Sequence, residues 1–438
     1  MLRWTDALAR STLCRRRLYS VHAAQPQKSA SAPAHQTRPV DPASVVGPDL
    51  DRLRQSLLTL LGSAHPGLDE IAKYYFLHPS KQMRPLLVLL FARATNGLGR
   101  DWRERRWAAE CEGEAQLDLP LTRGDVLNDW NPSMPDTTTS FQSVFSLVPP
   151  ALHPQRPPLP TELALPTIPS LQPLLLPTQR RLAQIVEMIH VASLLHDDVI
   201  DRSALRRGVP SAPAAFGNKL SVLGGDFLLG RASTALSRLG DLEVVELIAS
   251  VIANLVEGEI LQMKDVVATP TVNAEAWSVY LKKTYLKTAS LMAKGCRASV
   301  ILGGCAQGEV WKEVAYAFGR NFGLAFQLVD DVLDYESGEA TLGKPGGADL
   351  QLGLATGPAL YAWEEHPELG PLIQRKFENE GDVELARDLV RRSSGVERTR
   401  DLARAHSEKA RELLQLLPDS DAKSALEVMT ERVITRTS

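Results

Sequence analysis

From Pro177 to the C-terminus the apolar residues of this 438-residue chain recur at three- and four-residue spacing almost without interruption. That is the period of an amphipathic helix, whose apolar stripe must be covered by another element. Segments 179–202, 218–238, 241–264, 273–303 and 307–335 carry the pattern most fully, and 349–365, 369–378, 381–394 and 396–417 continue it. Gly or Pro punctuates many of the joins, and no strand-like alternation of useful length intervenes. Upstream, Leu50, Leu53, Leu57, Leu58 and Leu61 repeat the spacing. A further apolar stretch, Pro85 to Ala94, follows Lys81-Gln82-Met83-Arg84. Proline suits a first helical turn, so Pro85 is expected to start that helix. No unit of about 20–50 residues repeats, which disfavours a solenoid. The predicted fold class is all-α, with many long helices around one core.

Two stretches depart from this pattern. Residues 1–40 hold seven basic side chains and one acid, Asp6. The segment is Arg-rich, carries Ser and lacks the apolar run of a secretory signal, so it reads as a mitochondrial transit peptide. A disordered basic tail is the bland alternative. Removing it from the chain's 49 basic and 52 acidic residues leaves 42 and 51, a net charge of -9. An acidic body argues against nucleic acid as the main partner. Residues 97–178 hold 13 of the 29 prolines and little periodicity. They read as a mostly disordered insertion without catalytic role, with a short helix near Trp102–Ala115. An unspliced intron is a second explanation. The expected organisation is leader and linker over 1–48, then one domain over 49–438, interrupted at about 97–178.

Cys14, Cys111, Cys296 and Cys305 form no C-x-x-C pair, and no His cluster accompanies them, which excludes a zinc finger and suits a reducing compartment. No run of about 18 uninterrupted apolar residues exists, so a spanning helix is not expected. Peripheral association with a membrane surface stays open.

Chemistry concentrates in two clusters. The first is His196-Asp197-Asp198-Val199-Ile200-Asp201, at the end of an apolar helix. Asp197 and Asp201 share a helix face at i and i+4, while Asp198 is turned by about 100°. Like charges at this spacing are unfavourable, and acids at a helix C-terminus oppose its dipole. Mg²⁺ is the natural compensation, because it accepts carboxylates and fills its other positions with water and phosphate oxygens. The second cluster, Asp330-Asp331-Val332-Leu333-Asp334, preceded by Gln327, repeats the pattern on another apolar helix. A single cluster is equally well a solvated helix end; two, each ending a long apolar helix, point to one diphosphate bridged by metal ions. A diphosphate also needs cations, and Lys81, Arg84, Arg206-Arg207, Lys287 and Lys344 supply them. His190, seven residues before Asp197, shares the carboxylate face.

The stretch Leu194 to Asp201 with Arg206-Arg207-Gly208 resembles the first aspartate-rich motif of the trans-isoprenyl diphosphate synthases. Gly323 to Asp334 resembles the second. Lys287-Thr288-Ala289-Ser290-Leu291 and Gly343-Lys344-Pro345 resemble two further blocks of that family. The likeness covers about residues 50–96 and 179–438 and is strongest for the fungal mitochondrial, hexaprenyl-type members of ubiquinone synthesis. One departure is Ser80 where the family often has Gly before the first Lys. The resemblance implies one large helical bundle of the isoprenoid synthase type with a central cavity. It implies that Asp197, Asp201, Asp330 and Asp334 bind Mg²⁺, with Asp198, Asp331 and Lys287 also in the catalytic centre. Arg206, Lys287, Thr288, Gln327 and Lys344 would contact the allylic diphosphate, farnesyl or geranylgeranyl. Lys81, Arg84, His190 and Arg207 would hold isopentenyl diphosphate. A homodimer or related oligomer is implied as well, with the matrix, or the matrix face of the inner membrane, as its location.

These charges suit electrostatic stabilisation of a departing diphosphate, attack by an isopentenyl double bond and loss of a proton. Counting back from Asp197, Ala192 and Ser193 are expected at the cavity floor. Family members with a bulky aromatic there stop early, so small residues imply a product longer than C20. Three alternatives stand beside this reading: a class I terpene cyclase, a shorter-chain (C20) synthase, and a non-catalytic partner subunit. Two intact clusters speak against the cyclase and the silent subunit.

Overall fold

A helix that is apolar on one stripe packs on others, and the computed structural model shows this over residues 40–63, 65–78, 80–112, 175–263, 274–336 and 347–437. Helices α1 (Pro42–Val45), α2 (Gly47–Leu60) and α3 (Pro66–Leu77) precede α4 (Met83–Thr95) and α5 (Trp102–Glu112). Helix α6 (Pro177–Ile200) leads to a short hairpin of β1 (Leu205–Arg206) and β2 (Val209–Pro210). Then come α7 (Ala212–Phe216), α8 (Asn218–Ser237) and α9 (Leu242–Met263). Helix α10 (Ala274–Thr284) runs through a π-helical turn (Tyr285–Ala289) into α11 (Ser290–Leu302), and α12 (Val310–Glu336) follows. Helices α13 (Ala348–Gln351), α14 (Gly357–Glu365), α15 (Leu369–Gln374), α16 (Asp382–Arg392), α17 (Gly395–Leu414) and α18 (Asp421–Thr435) complete the fold. The all-α expectation is borne out.

The packing explains where the two aspartate clusters lie. Helix α12 packs on α11 and α17, α6 on α8 and α4, and α4 on α11. The main core contains Phe91, Phe318 and Phe322, all fully buried. Phe91 meets Phe318 edge-on at 4.9 Å between centroids. Each such side chain contributes about 1.5–3 kcal/mol on burial. A second core gathers Leu328, Val329, Leu360, Trp363 and Val390. Helix α12 thus crosses from one core to the other, and Asp330 and Asp331 follow directly on Val329. Two glycines let α12 lie against its neighbour. A Cβ on Gly323 would stand 2.5 Å from Ala289 Cα, and one on Gly319 would stand 2.7 Å from Ala293 Cα.

Several boundaries differ from expectation. Residues 42–48 are not linker: α1 starts at Pro42, Val46 is fully buried, and Asp41 pairs with Arg432 of α18 at 2.8 Å. Pro85 does not start its helix; α4 begins at Met83, with Pro85 inside the first turn. The stretch 349–365 is two helices, broken around Gly353, whose φ of +77° suits only glycine readily. The outer parts of 97–178 are folded, as α5, as buried Leu175 and Leu176, and as the start of α6. The transit-peptide segment through residue 39, and residues 113–174, lie outside the described residues.

Replacing Gly323 by Val should lower stability by about 1–3 kcal/mol, since a crowded helix interface has no slack. Gly230→Val on α8, where a Cβ meets nothing within 4 Å, is the control. Urea denaturation followed by circular dichroism reads the difference. Equal midpoints for the two variants would refute the close approach.

Candidate active site

The C-terminal ends of α6 and α12 open on one cavity of about 870 Å³. Asp197 and Asp201 line it from α6 and its C-cap, and Asp330 and Asp331 from α12. The two sequence clusters therefore share one space. Desolvation pushes the Asp197 carboxyl up to about 6, with Lys287 opposing and Glu259 and Asp201 adding to the rise. Burial also raises Asp201 and Asp330, although Arg436 pairs with Asp330 at 2.8 Å. Asp331 is raised to about 6, again by burial first. Resident cations thus fall short of compensating the carboxylates. Hard oxygen donors in that state fit a divalent ion such as Mg²⁺.

Asp198 has a different place from the one expected. It is fully buried and does not line the cavity. It accepts from Arg206 Nε (2.6 Å) and Nη2 (2.7 Å), and from the Tyr75 hydroxyl. The bidentate pair aims Arg206, which does line the cavity. The hairpin makes this possible. Its two loop residues, Arg207 (φ 53°) and Gly208 (φ 79°), are both left-handed, as a tight two-residue turn requires. Asp334 is likewise not on the cavity; it accepts from the backbone amides of Ala348 (3.1 Å) and Asp349 (3.2 Å) at the start of α13. Exposed helix N–H groups take a carboxylate readily, which accounts for these two contacts.

On the other side Arg84 Nη1 donates to His190 Nε2 at 3.0 Å. Burial holds the imidazole well below its ordinary value, and Arg84, Arg207 and Arg206 push the same way, so the ring is neutral at pH 7. Burial raises Glu187 beside them, although Arg84 and Arg207 oppose it. With Lys81 at the rim, this end gathers guanidinium and ammonium groups whose charge suits an anion. Lys287 donates to Glu259 and to Gln262 Oε1 (3.0 Å) from the π-helical turn. Gly258 clears its path: a Cβ there would sit 2.6 Å from Lys287 Cγ. Thr288 Oγ1 donates to Gln327 Oε1 (2.8 Å), and Gln327 Nε2 donates to Asp331 (2.9 Å). Ser193 lines the cavity but Ala192 does not; it is fully buried. Neighbouring residues on a helix point about 100° apart, and here that turn carries Ala192 into the core. Lys344 lies outside the described residues.

Sequence reasoning missed Tyr75, Tyr280, Lys283, Asp349 and Arg436. Tyr280 donates to Asp331 as Tyr75 does to Asp198. Glu259, the partner of Lys287, was missed as well. Arg436 carried no signal, lying far from every motif.

Two substitutions should act in opposite directions on the metal-free protein. Asp197 has a folded pKa above its unfolded value, so its stabilising contribution is complete below about pH 4 and is lost as pH rises through about 6. Asp197→Asn, which never ionises, should melt above wild type at pH 7.5 in EDTA, with the gap closing by pH 5. Asp198→Asn weakens Arg206's anchor and should cost about 3 kcal/mol at pH 7.5. Thermal melts of the three proteins at both pH values decide this. A lower melting point for Asp197→Asn at pH 7.5 would contradict the raised carboxyl.

With this geometry in view, the comparisons with known proteins agree. The family model described as "Polyprenyl synthetase" matches residues 170–390. The protein named probable hexaprenyl pyrophosphate synthase, mitochondrial, of Neurospora crassa is 49% identical over 400 residues, 91% of this chain and 82% of that protein. Hexaprenyl pyrophosphate synthase, mitochondrial, of Saccharomyces cerevisiae is 42% identical, covering 90% of each. A crystal structure of a Caulobacter crescentus polyprenyl synthase complexed with calcium and isoprenyl diphosphate superposes with a TM-score of 0.66. It is 26% identical and covers 91% of this chain and 97% of that one. Two aspartate clusters on one helical cavity and relatives matched along nearly their whole length lead to the same conclusion: this chain belongs to the polyprenyl synthetase family of prenyltransferases.

Proposed function

We propose that this chain is a long-chain all-trans-polyprenyl diphosphate synthase. It adds isopentenyl diphosphate to an allylic diphosphate and supplies the ubiquinone side chain in mitochondria. The observation that carries this reading is the meeting of Asp197, Asp201, Asp330 and Asp331 on one cavity beside Arg84, Arg206 and Arg207. The names of the fungal relatives support the long chain and the mitochondrial location. Residues 1–39 are assigned to the leader, and the Pro-rich stretch between α5 and α6 to an insertion in the synthase domain.

Asp197, Asp201, Asp330 and Asp334 would hold Mg²⁺. When bound, the ion supplies Lewis-acid stabilisation of the departing diphosphate. Arg206, locked by Asp198, and Lys287, locked by Glu259 and Gln262, present fixed donors to the allylic diphosphate and need little reorganisation as charge develops. Thr288, Gln327 and Lys344 are assigned to the same substrate. Arg84, Arg207, Lys81 and neutral His190 orient isopentenyl diphosphate. As the allylic C–O bond breaks, the isopentenyl double bond attacks the allylic carbon. The C–C bond forms, and a proton leaves to the released diphosphate, so no protein base is required.

A second copy of the chain is assigned to α8 and α9. Val222 and Leu223 on α8, and Val256, Ile260 and Met263 on α9, are exposed apolar residues on helices of the described fold. Covering such a face is what an isologous dimer does. Among the described residues no helix is long and apolar enough to cross a membrane. A polyprenyl product needs a lipid destination, so peripheral contact with the inner membrane is part of this proposal.

Purified protein given Mg²⁺, labelled isopentenyl diphosphate and farnesyl diphosphate should release products beyond C20 on chromatography. No incorporation by folded protein would favour a non-catalytic partner subunit. Ser193→Phe should shorten the product, since Ser193 faces the cavity. Ala192→Phe should chiefly destabilise, by about 1–3 kcal/mol of overpacking. An unchanged product from Ser193→Phe would remove Ser193 from the floor.

A further inference from the structure

The dipeptide Lys-Thr occurs twice within six residues, at Lys283-Thr284 and at Lys287-Thr288. All four residues line the cavity. Helix α10 ends at Thr284, and the π-helical turn follows without a break, so a four-residue step keeps both lysines on the same side. Turns of this kind recur at functional positions in other proteins.

The two lysines are employed differently. Lys287 is pinned to α9 by Glu259 and Gln262, and its charge lies against Asp197 and Asp201. Lys283 is half-buried and lines the cavity together with Asp331 and Asp349 of the opposite half. Among the described residues it closes no ion pair and no hydrogen bond; its direct neighbour is the Tyr280 ring, with Nζ 5.6 Å from the centroid. Asp331 is already engaged by Gln327 and Tyr280. The threonines differ too. Thr288 bonds Gln327, whereas Thr284 bonds the Tyr280 carbonyl of its own helix (2.9 Å). A lysine kept for charge balance alone gains most by closing an ion pair, because an unpaired, partly buried ammonium is costly. Lys283 instead keeps its donors for the cavity.

We propose that Lys283 is a second diphosphate-binding lysine, which grips the allylic diphosphate from the side of Asp331 while Lys287 grips it from the side of Asp197. This rests on the reading of the cavity as a diphosphate site. It gives the tandem repeat a purpose: one lysine for each aspartate half, on one helical run.

Lys283→Met and Lys283→Arg, made in the full chain, test the assignment. The readouts are KM for farnesyl diphosphate, KM for isopentenyl diphosphate, and inhibition by inorganic pyrophosphate with Mg²⁺. The Met variant should raise the farnesyl KM and the pyrophosphate inhibition constant about tenfold or more, the worth of one charge-assisted hydrogen bond. The isopentenyl KM should stay within about twofold, and Arg should recover most of the loss. Unchanged farnesyl KM and pyrophosphate inhibition overturn the proposal. If Lys283→Met does not fold, Lys283→Gln replaces it. If both neutral variants fail to fold while Arg folds, the role is structural and the proposal is overturned as well. A wild type that binds pyrophosphate by calorimetry but incorporates no isopentenyl unit sinks the synthase reading alone, and pyrophosphate affinity of the variants still decides on Lys283.

Discussion

Carboxylates crowded into a partly dry space repel one another and lose hydration, and the neighbourhood of this cavity is arranged around that fact. Asp197, Asp201, Asp330, Asp331 and Asp349 are all held above their ordinary range, with burial the largest cause. Two further aspartates look elsewhere. Asp198 turns into the protein and takes Arg206 and Tyr75; Asp334 takes two backbone amides. Each cluster thus divides its labour. Its middle aspartate meets a tyrosine hydroxyl from another helix, and its first lines the cavity, Asp330 beside Arg436. The parallel between Tyr75–Asp198 and Tyr280–Asp331 makes the two clusters physically alike, beyond their shared spelling.

Holding such groups in place demands rigid supports, and these come from close backbone approach. Gly323 and Gly319 let α12 lie on the π-helical turn and α11, so that Gln327 reaches Thr288. Gly258 lets Lys287 pass α9. In each case a side chain on the wrong residue blocks a polar contact one turn away. Helix α12 also ties the two hydrophobic cores together, so the second cluster is braced from both ends.

Much of this was legible in the sequence because periodicity and charge report directly on helices and on clusters. The spacing of apolar residues gave α6, α8, α9 and α12 within a few residues. The paired clusters by themselves mark the cavity. What stayed hidden depends on contacts between distant segments. Nothing local distinguishes Asp198 from Asp197; only the hairpin's Arg206 and the hydroxyl of Tyr75, 123 residues away, do so. Arg436 reaches Asp330 from just past the end of α18. Residues 42–48 looked like linker because one small helix carries no visible period, yet Val46 fills a core position. Phase alone also does not reveal a neighbour: Asp334 shares a face with Asp330, and it accepts from the amides of Ala348 and Asp349 as well.

The hairpin sets more than the aim of two arginines. Arg206 and Arg207 are consecutive residues, so their Cα atoms are about 3.8 Å apart across one peptide bond. In the proposed reaction each belongs to a different substrate. After every condensation the lengthened chain carries the diphosphate that isopentenyl diphosphate brought in, and this head group must shift to the allylic side before the next round. That shift runs between guanidinium groups on consecutive residues of one hairpin, which the length of the tail does not alter. It is the same on the first addition as on the last, however long the tail has become. Product length is then a matter for the apolar end alone, and the head-group machinery has no means of counting.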